Sequence, residues 1–501
     1  MSRALASVRN AESIALDAIP VASIDKLRRA VIDAVAAGSR LCAYFGAAEP
    51  RLTGDAGVRI FAVLADESAG SLGIVSASVD GAYEALTPAC AQAHLFEREV
   101  LEQWGIRPEN HPWLKPVRYP NHASADAPEI GERSFYALTG AEAHEVAVGP
   151  VHAGIIEPGH FRFQCHGENV YHLEISLGYQ HRGIERALVG GPHPRTVHFM
   201  ETLAGDTTIG HATAYCELLE SLSAGIAASP RAMALRGIML ELERLANHTG
   251  DLGALAGDVG FLPTMSYCGR IRGDFLNMSA LVCGNRFGRS MVVPGGVRFD
   301  VDHSLVQELL SRLAAAKRDV TVAAELLFGT SSVIARFEQT GMLDAATCRD
   351  LGLVGPAARA SGLQHDVRSD FPSGIYRFAH IPISSWHTGD VFGRAFVRWM
   401  EIQRSIEFVE EQLESLSPAS SVVAVRALAP QRMSIALVEG WRGEICHVAV
   451  TDKAGRFAAY KVVDPSFHNW FGLAMSLRGQ QISDFPLCNK SFNLSYCGHD
   501  L

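Results

Sequence analysis

What this sequence of 501 residues lacks narrows its function before anything it contains. It has no run of about 18 apolar residues, so it offers no membrane-spanning helix, and any link to a membrane has to run through partners. Dense Lys/Arg blocks are absent and the net charge is -10, which argues against nucleic acid as the main partner because phosphate binding needs a basic face. Among the ten cysteines, from Cys42 to Cys497, there is no C-x-x-C pair. They read as reduced, buried, small apolar residues of a cytoplasmic protein. G-x-x-x-x-G-K-[ST], H-E-x-x-H and G-x-S-x-G are all missing, so the nucleotide-cradling, zincin and hydrolase readings have no anchor. No glycine-rich dinucleotide loop is visible either. Twenty histidines are present, yet neither His193 with His198 nor His122 with His144 has a further ligand at helical or hairpin spacing.

With 48% hydrophobic and 20% charged residues, the composition is that of a soluble globular protein, long enough for two or three domains. The N-terminal stretch carries Glu12 and Asp17 and no continuous apolar core, so it does not read as a signal peptide. Ser23 is placed to cap a helix with Ile24, Leu27, Val31 and Val35 on one stripe, and strands are expected at RIFAVLA (59–65) and GIVSASV (73–79). Thr87-Pro88 has the chemistry of a helix start, opening a helix through AHLFEREVLEQW that stops at Gly105. The polar, turn-rich segment after Pro120 reads as a linker.

Downstream, VHAGIIEPGHFRFQCHGENVYHLEIS (151–176) suggests a small antiparallel sheet. Long helices follow at 231–257 and 390–416, their apolar stripes fitting a bundle core. GEICHVAV (443–450) and FAAYKVV (457–463) look like a returning hairpin, followed by a short helix and an extended C-terminus.

The segment AHLFEREVLEQWGIRPENHPWLKPVRYP (93–120) resembles the signature of the C-type component of respiratory complex I (NADH-quinone oxidoreductase). GYQHRGIER (178–186), LELERLANHTGDLGALAGDVGF (240–261), VPGGVRFDV (293–301), GPAARASGLQHDVRSDFP (355–372) and NWFGLAMSLRGQQISDFPL (469–487) resemble the D-type component of complex I. They equally resemble the large subunit of group 4 membrane-bound nickel-iron hydrogenases, of the hydrogenase-4 and formate hydrogenlyase type. The resemblance covers nearly the whole chain. It implies an α+β protein: residues 1–120 as a small α/β domain like the C-type component, 121–148 as linker, and 149–501 as a large, mainly helical domain with a small antiparallel sheet.

In that family four cysteine thiolates hold nickel and iron. Anchored on HATAY (211–215) and on Ser491-Phe492, the four positions fall on Ala204, Thr207, Ser495 and Gly498, with Cys497 one place off the pattern. None of the four supplies the soft thiolate such a centre requires. The resemblance to complex I raises a quinone site instead. Its headgroup histidine falls on Pro158, with His152 and His160 nearby, and its tyrosine on Gly205, with Tyr215 downstream, while Asp258 matches the aspartate that partners the histidine. Arg182 and His248 match residues near the terminal iron-sulfur cluster of the adjoining subunit. Glu185, with His181 beside it, matches a proton-relay carboxylate, a role that requires a pKa raised by desolvation.

Plainer readings stand beside these. Glu241, Arg244 and His248 suffice for an intrahelical polar network. His181, Arg182 and Glu185 suffice to order a turn, and Asp258 to end a helix. Three functions follow from the resemblance: a hydrogenase-like subunit without nickel-iron that supports electron transfer coupled to ion translocation, a reductase of quinone or another acceptor in a modified cavity, and a scaffold. The implied partners are an iron-sulfur small subunit, which carries the cluster, and antiporter-like membrane subunits. This chain itself is expected to bind no cofactor, with quinone the open alternative, and to sit in the cytoplasm against the inner face of the cell membrane through its partners.

Overall fold

The computed structural model describes residues 5–120, 134–154, 156–223 and 226–501. The first half of the predicted linker, 121–133, lies outside the described residues.

The two predicted strands are present as Val58–Asp66 and Ser71–Val79, paired antiparallel with Ala62 opposite Val75. Arg40–Ala48 and Ala6–Val8 extend the sheet on either side, and Val21–Ala22 joins it in parallel. The helix Ile24–Ala36 covers one face through Leu27 and Val31. Val58–Asp66 and Arg40–Ala48 are near-continuously apolar because both of their faces are covered. The second cover is another sheet, in the order Phe457–Val463, Gly443–Thr451, Arg432–Gly440, Glu12–Ala15. Met433, Ile435, Cys446 and Val448 from that sheet share one core with Phe61, Val63 and Leu72. The predicted hairpin is therefore one half of a four-stranded sheet, with Phe457–Val463 at one edge and a strand from residues 12–15 at the other. Chain elements on both sides of residue 120 build it.

Two expectations near the N-terminal unit change. The helix after Thr87-Pro88 starts only at His94 and runs to Trp104, ending at Gly105 with φ 70°. Thr87 is not its cap: the Thr87 hydroxyl and the backbone N–H groups of Leu86 and Thr87 all donate to the buried Glu97 carboxylate (2.6–2.9 Å), so the helix's own acid fastens the turn before it. Residues Ala143–Val148, read from sequence as the end of the linker, form a strand. They pair with His160–His166, which pairs with Asn169–Ser176 to complete the predicted antiparallel sheet.

The long helices Pro230–Asp258 and Val391–Glu414 occupy nearly the predicted spans and pack together with Leu262–Cys283 and His303–Gly329. Ser229 and Asp390 cap the first two, Asp390 accepting the Gly393 N–H at 2.8 Å. The C-terminus is helical and buried rather than extended: Pro465–Ser476, Phe485–Phe492 and Tyr496–Asp500 fold back on the core, and Leu501 is fully covered. Short caps at Asn493 (φ 45°) and Ser495, which a periodicity reading does not weigh, produce these turns. Nine of the ten cysteines are buried and none is paired with another. Among the described residues no single helix is long and apolar enough to cross a membrane.

Candidate functional site

The segments 200–211 and 493–501 come together beside the turn that joins Arg432–Gly440 to Gly443–Thr451. That turn carries Trp441 and Arg442. The Arg442 guanidinium makes a two-pronged contact with the Asp206 carboxylate (2.6 and 2.8 Å), donates to Thr207 Oγ1 at 3.3 Å and to the Asn493 carbonyl, and lies over the Trp441 ring. Trp441 Nε1 donates to the Asp206 carbonyl at 3.1 Å. Ala204 and Thr207 are buried in this arrangement. Ser495 accepts the Gly498 N–H on its hydroxyl at 2.9 Å, and its own N–H donates to Ser466 Oγ at 2.8 Å. A Cβ placed on Gly498 would stand 2.7–2.9 Å from the Asp464 carboxylate. The four positions are thus brought to one buried region, and hydrogen bonds and the Asp464 carboxylate fill it. Cys497 is half-buried, 3.5 Å from Ser495 Oγ, and burial pushes its thiol up to about 11.

Arg182 ties the two segments together. Although exposed, its guanidinium donates to the carbonyls of Thr202 (2.8 Å), Leu203 (3.0 Å) and Cys497 (3.4 Å). His181 Nδ1 lies 2.7 Å from the Asp500 carbonyl, and burial lowers its pKa. Glu185 accepts from the Val462 N–H (3.0 Å) and Gln103 (3.2 Å) and pairs with Lys461 at 3.0 Å. Burial acts to raise its pKa, but Lys461 and Arg118 outweigh it and the net direction is downward. The net direction is opposite to the raised pKa that the sequence reading expects of a relay carboxylate. Beside it lies a cavity of about 250 Å³ lined by Phe45, Trp104, His181, Glu185, Tyr460 and Lys461.

Around His248 the polar network reaches well beyond one helix. Glu241 pairs with Arg244 (2.9 Å) and Arg368 (3.2 Å), and accepts from Tyr376 and Ser405. Glu401 pairs with Arg359 (2.6 Å), His248 Nε2 (2.8 Å) and Arg244 (3.4 Å), and Arg359 also reaches Glu439 at 2.8 Å. All of these charged groups are buried. Burial acts to raise the Glu401 carboxyl, yet Arg359, His248 and Arg244 hold it well below the usual range. Burial likewise lowers His248, whose ring meets Trp441 edge-on. Glu401, Arg359, Glu439 and Arg368 went unseen in the sequence because they come from three separate stretches, 355–372, 391–414 and 432–440, which meet the helix of His248 only on folding.

The residues considered for a quinone cavity sit on different elements. His152 Nε2 lies 2.9 Å from the Gly159 carbonyl and His160 Nδ1 lies 3.3 Å from the Gly149 carbonyl, so both brace one loop. Tyr215 is buried in the helix Thr208–Leu222, its ring 6.4 Å from that of Tyr460. Asp258 is the exposed last residue of its helix, the role of a helix end.

Residues 258–433 match the sequence family described as "Respiratory-chain NADH dehydrogenase, 49 Kd subunit". The carbon monoxide-induced hydrogenase of Rhodospirillum rubrum is 31% identical over 353 residues, which span 70% of this chain and 97% of that protein. The chain belongs to this family. Formate hydrogenlyase subunit 5 of Escherichia coli is 28% identical over 483 residues, 92% of this chain and 84% of the relative. An NADH-quinone oxidoreductase subunit of Solibacter usitatus is 27% identical over 320 residues, 64% of this chain and 86% of the relative. Membership joins hydrogenase proteins with NADH-quinone oxidoreductase, so the chain is a complex I-related oxidoreductase subunit.

Proposed function

We propose that the protein is a hydrogenase-like large subunit without a nickel-iron site, working beside a partner's iron-sulfur cluster in a complex that couples electron transfer to ion translocation. The observation that carries this reading is the filling of the family's ligand region. Ala204, Thr207, Ser495 and Gly498 offer no thiolate, and Asp464 stands where a side chain on residue 498 would have to go. Alcohols are hard, poorly acidic donors, so the residues present do not fit nickel and iron. The relatives named for hydrogenases and for NADH-quinone oxidoreductase support membership of a multisubunit redox complex.

Of the two residues that the resemblance places near the partner's cluster, Arg182 is exposed and open to a docked subunit. His248 is fully buried and would act through the ion network around Glu401. His152 and His160 brace a loop and Asp258 ends a helix, so the place of each is accounted for without a quinone. The test is metal and acid-labile sulfide analysis of the complex isolated through a tag on this chain, followed by reduction of a quinone analogue. Iron and sulfide without nickel is the expected result. Nickel near one atom per chain would overturn the reading, and a lone chain with neither iron nor sulfide would remove the partner from it.

A further inference from the structure

Tyr460, His447, His211 and Asp464 form an unbroken line of hydrogen bonds through the core. Tyr460 Oη lies 2.8 Å from His447 Nδ1, His447 Nε2 lies 3.0 Å from His211 Nδ1, and His211 Nε2 lies 3.0 Å from Asp464 Oδ2. All four groups are buried, Tyr460 the least so at 4% exposed. Separate elements supply them: the helix Thr208–Leu222, the strands Gly443–Thr451 and Phe457–Val463, and the cap of the helix Pro465–Ser476.

The direction of the chain follows from counting donors. An ionised carboxylate only accepts, so His211 Nε2 carries a proton and, in the neutral ring, Nδ1 accepts. His447 Nε2 must then donate, which leaves its Nδ1 to accept the Tyr460 hydroxyl. Every donor points toward Asp464. Burial acts to raise the Asp464 carboxyl, but His211 and Arg442 keep it below the usual range, consistent with an ionised end. The opposite setting is equally complete: a protonated Asp464 donates to His211 Nε2, His211 Nδ1 to His447 Nε2, and His447 Nδ1 to the Tyr460 oxygen. Two fully bonded settings that differ by one shift along the line are what a proton-conducting chain needs, and burial keeps water from shorting it.

We propose that Tyr460, His447, His211 and Asp464 conduct protons between the cavity beside Glu185, which Tyr460 lines, and the filled ligand region at Ser495 and Gly498. In one passage the phenol proton goes to His447 Nδ1, the His447 Nε2 proton to His211 Nδ1, and the His211 Nε2 proton to Asp464. Water in the cavity resupplies the phenol, no electron moves, and Asp464 releases its proton to a reduced acceptor or to water at the inner end; both rings then hold their protons on Nδ1, and each has to turn to restore Nε2–H toward Asp464 before a second proton follows. The use of this chain in the complex rests on the function proposed above, while its existence rests on geometry alone.

Asp464→Asn provides a sharp test. Asp464 Oδ1 accepts the Ser466 N–H at 2.8 Å, so an asparagine must keep its oxygen there and turn its amide N–H toward His211. Both imidazoles should then exchange tautomers together, from Nε2–H to Nδ1–H. In nitrogen-15 histidine spectra of the full chain, that joint exchange, with coupling through the hydrogen bond between His447 and His211, is the expected result. Tautomers that stay fixed in Asp464→Asn, or no coupling in the wild type, would overturn the proposal. In the assembled complex, Tyr460→Phe keeps the ring and removes the hydroxyl, and turnover should fall about tenfold or more, with a larger solvent isotope effect. Turnover and isotope effect within about twofold of wild type would also overturn it. A wild-type complex that transfers no electrons would defeat the proposed function and leave the spectra to decide the chain.

Discussion

Two buried polar assemblies lie against neighbouring strands of one sheet, and they are built on opposite principles. The network around Glu241, Arg244, Glu401 and Arg359 is made of full charges locked in pairs. The line from Tyr460 to Asp464 holds one charged end, and its middle is two rings that can each hold a proton on either nitrogen. A guanidinium cannot give up its proton, so the first assembly can only be kept or broken. The second can be reversed without losing a bond. Fixed charge and movable protons are thus separated within one core.

The separation can be broken most forcefully at Glu401. Glu401→Gln leaves Arg359 and Arg244 buried without their shared carboxylate, and a loss of about 3–5 kcal/mol in chemical denaturation is expected. The sign with pH follows from its depressed pKa: the stability Glu401 contributes is complete above the unfolded carboxyl value of about 4.3 and fades as pH falls below it. Acid denaturation that is identical in wild type and Glu401→Gln would show that the pairing is not stabilising. Next in size is Gly498→Cys. Its Cβ would press on the Asp464 carboxylate, and about 1–3 kcal/mol should be lost with no nickel gained on metal analysis.

A smaller effect is expected from Ser495→Ala, which removes the acceptor for the Gly498 N–H and should cost about 1 kcal/mol in thermal unfolding while leaving the Asp464 end of the chain intact. The mildest is a change in pH profile. Burial pushes Glu243 up to about 8, so it favours the folded chain most fully below the unfolded value of about 4.3, and that contribution is lost as pH rises toward 8. Glu243→Gln should flatten the melting temperature between about pH 5 and about pH 8. An unchanged slope would assign the dependence to another group, with Glu217, pushed up to about 7 by burial, first in line.

Much of the architecture could be read from local pattern. The stripes of Pro230–Asp258 and Val391–Glu414 and the runs at 59–65 and 73–79 state their own structure because each repeats at the period of its element. The pairing of Glu12–Ala15 with Arg432–Gly440 could not be read, since no local period reports a partner so distant in the chain. Thr87 misled because a good capping residue also serves as a hydrogen-bond donor to an acid ten residues on. At the candidate site, motif order located Ala204, Thr207, Ser495 and Gly498, but not what fills the space around them. His447 sits in an apolar strand and reads as a core residue, and Asp464 reads as a helix cap, which it also is. Only folding brings both to His211.

The strand Glu12–Ala15 has a consequence for how the protein is made. Residues 5–79 supply nearly all of the first sheet early in synthesis, but the surface that covers it, and the partner strand for Glu12–Ala15, emerge only with residues 432–463. Until then the apolar outer face of the first sheet and an unpaired strand edge stay open, the combination that invites aggregation. A fragment of this protein that ends before residue 432 lacks the strands that complete its N-terminal core, and the full core closes only when residues 432–463 have joined it.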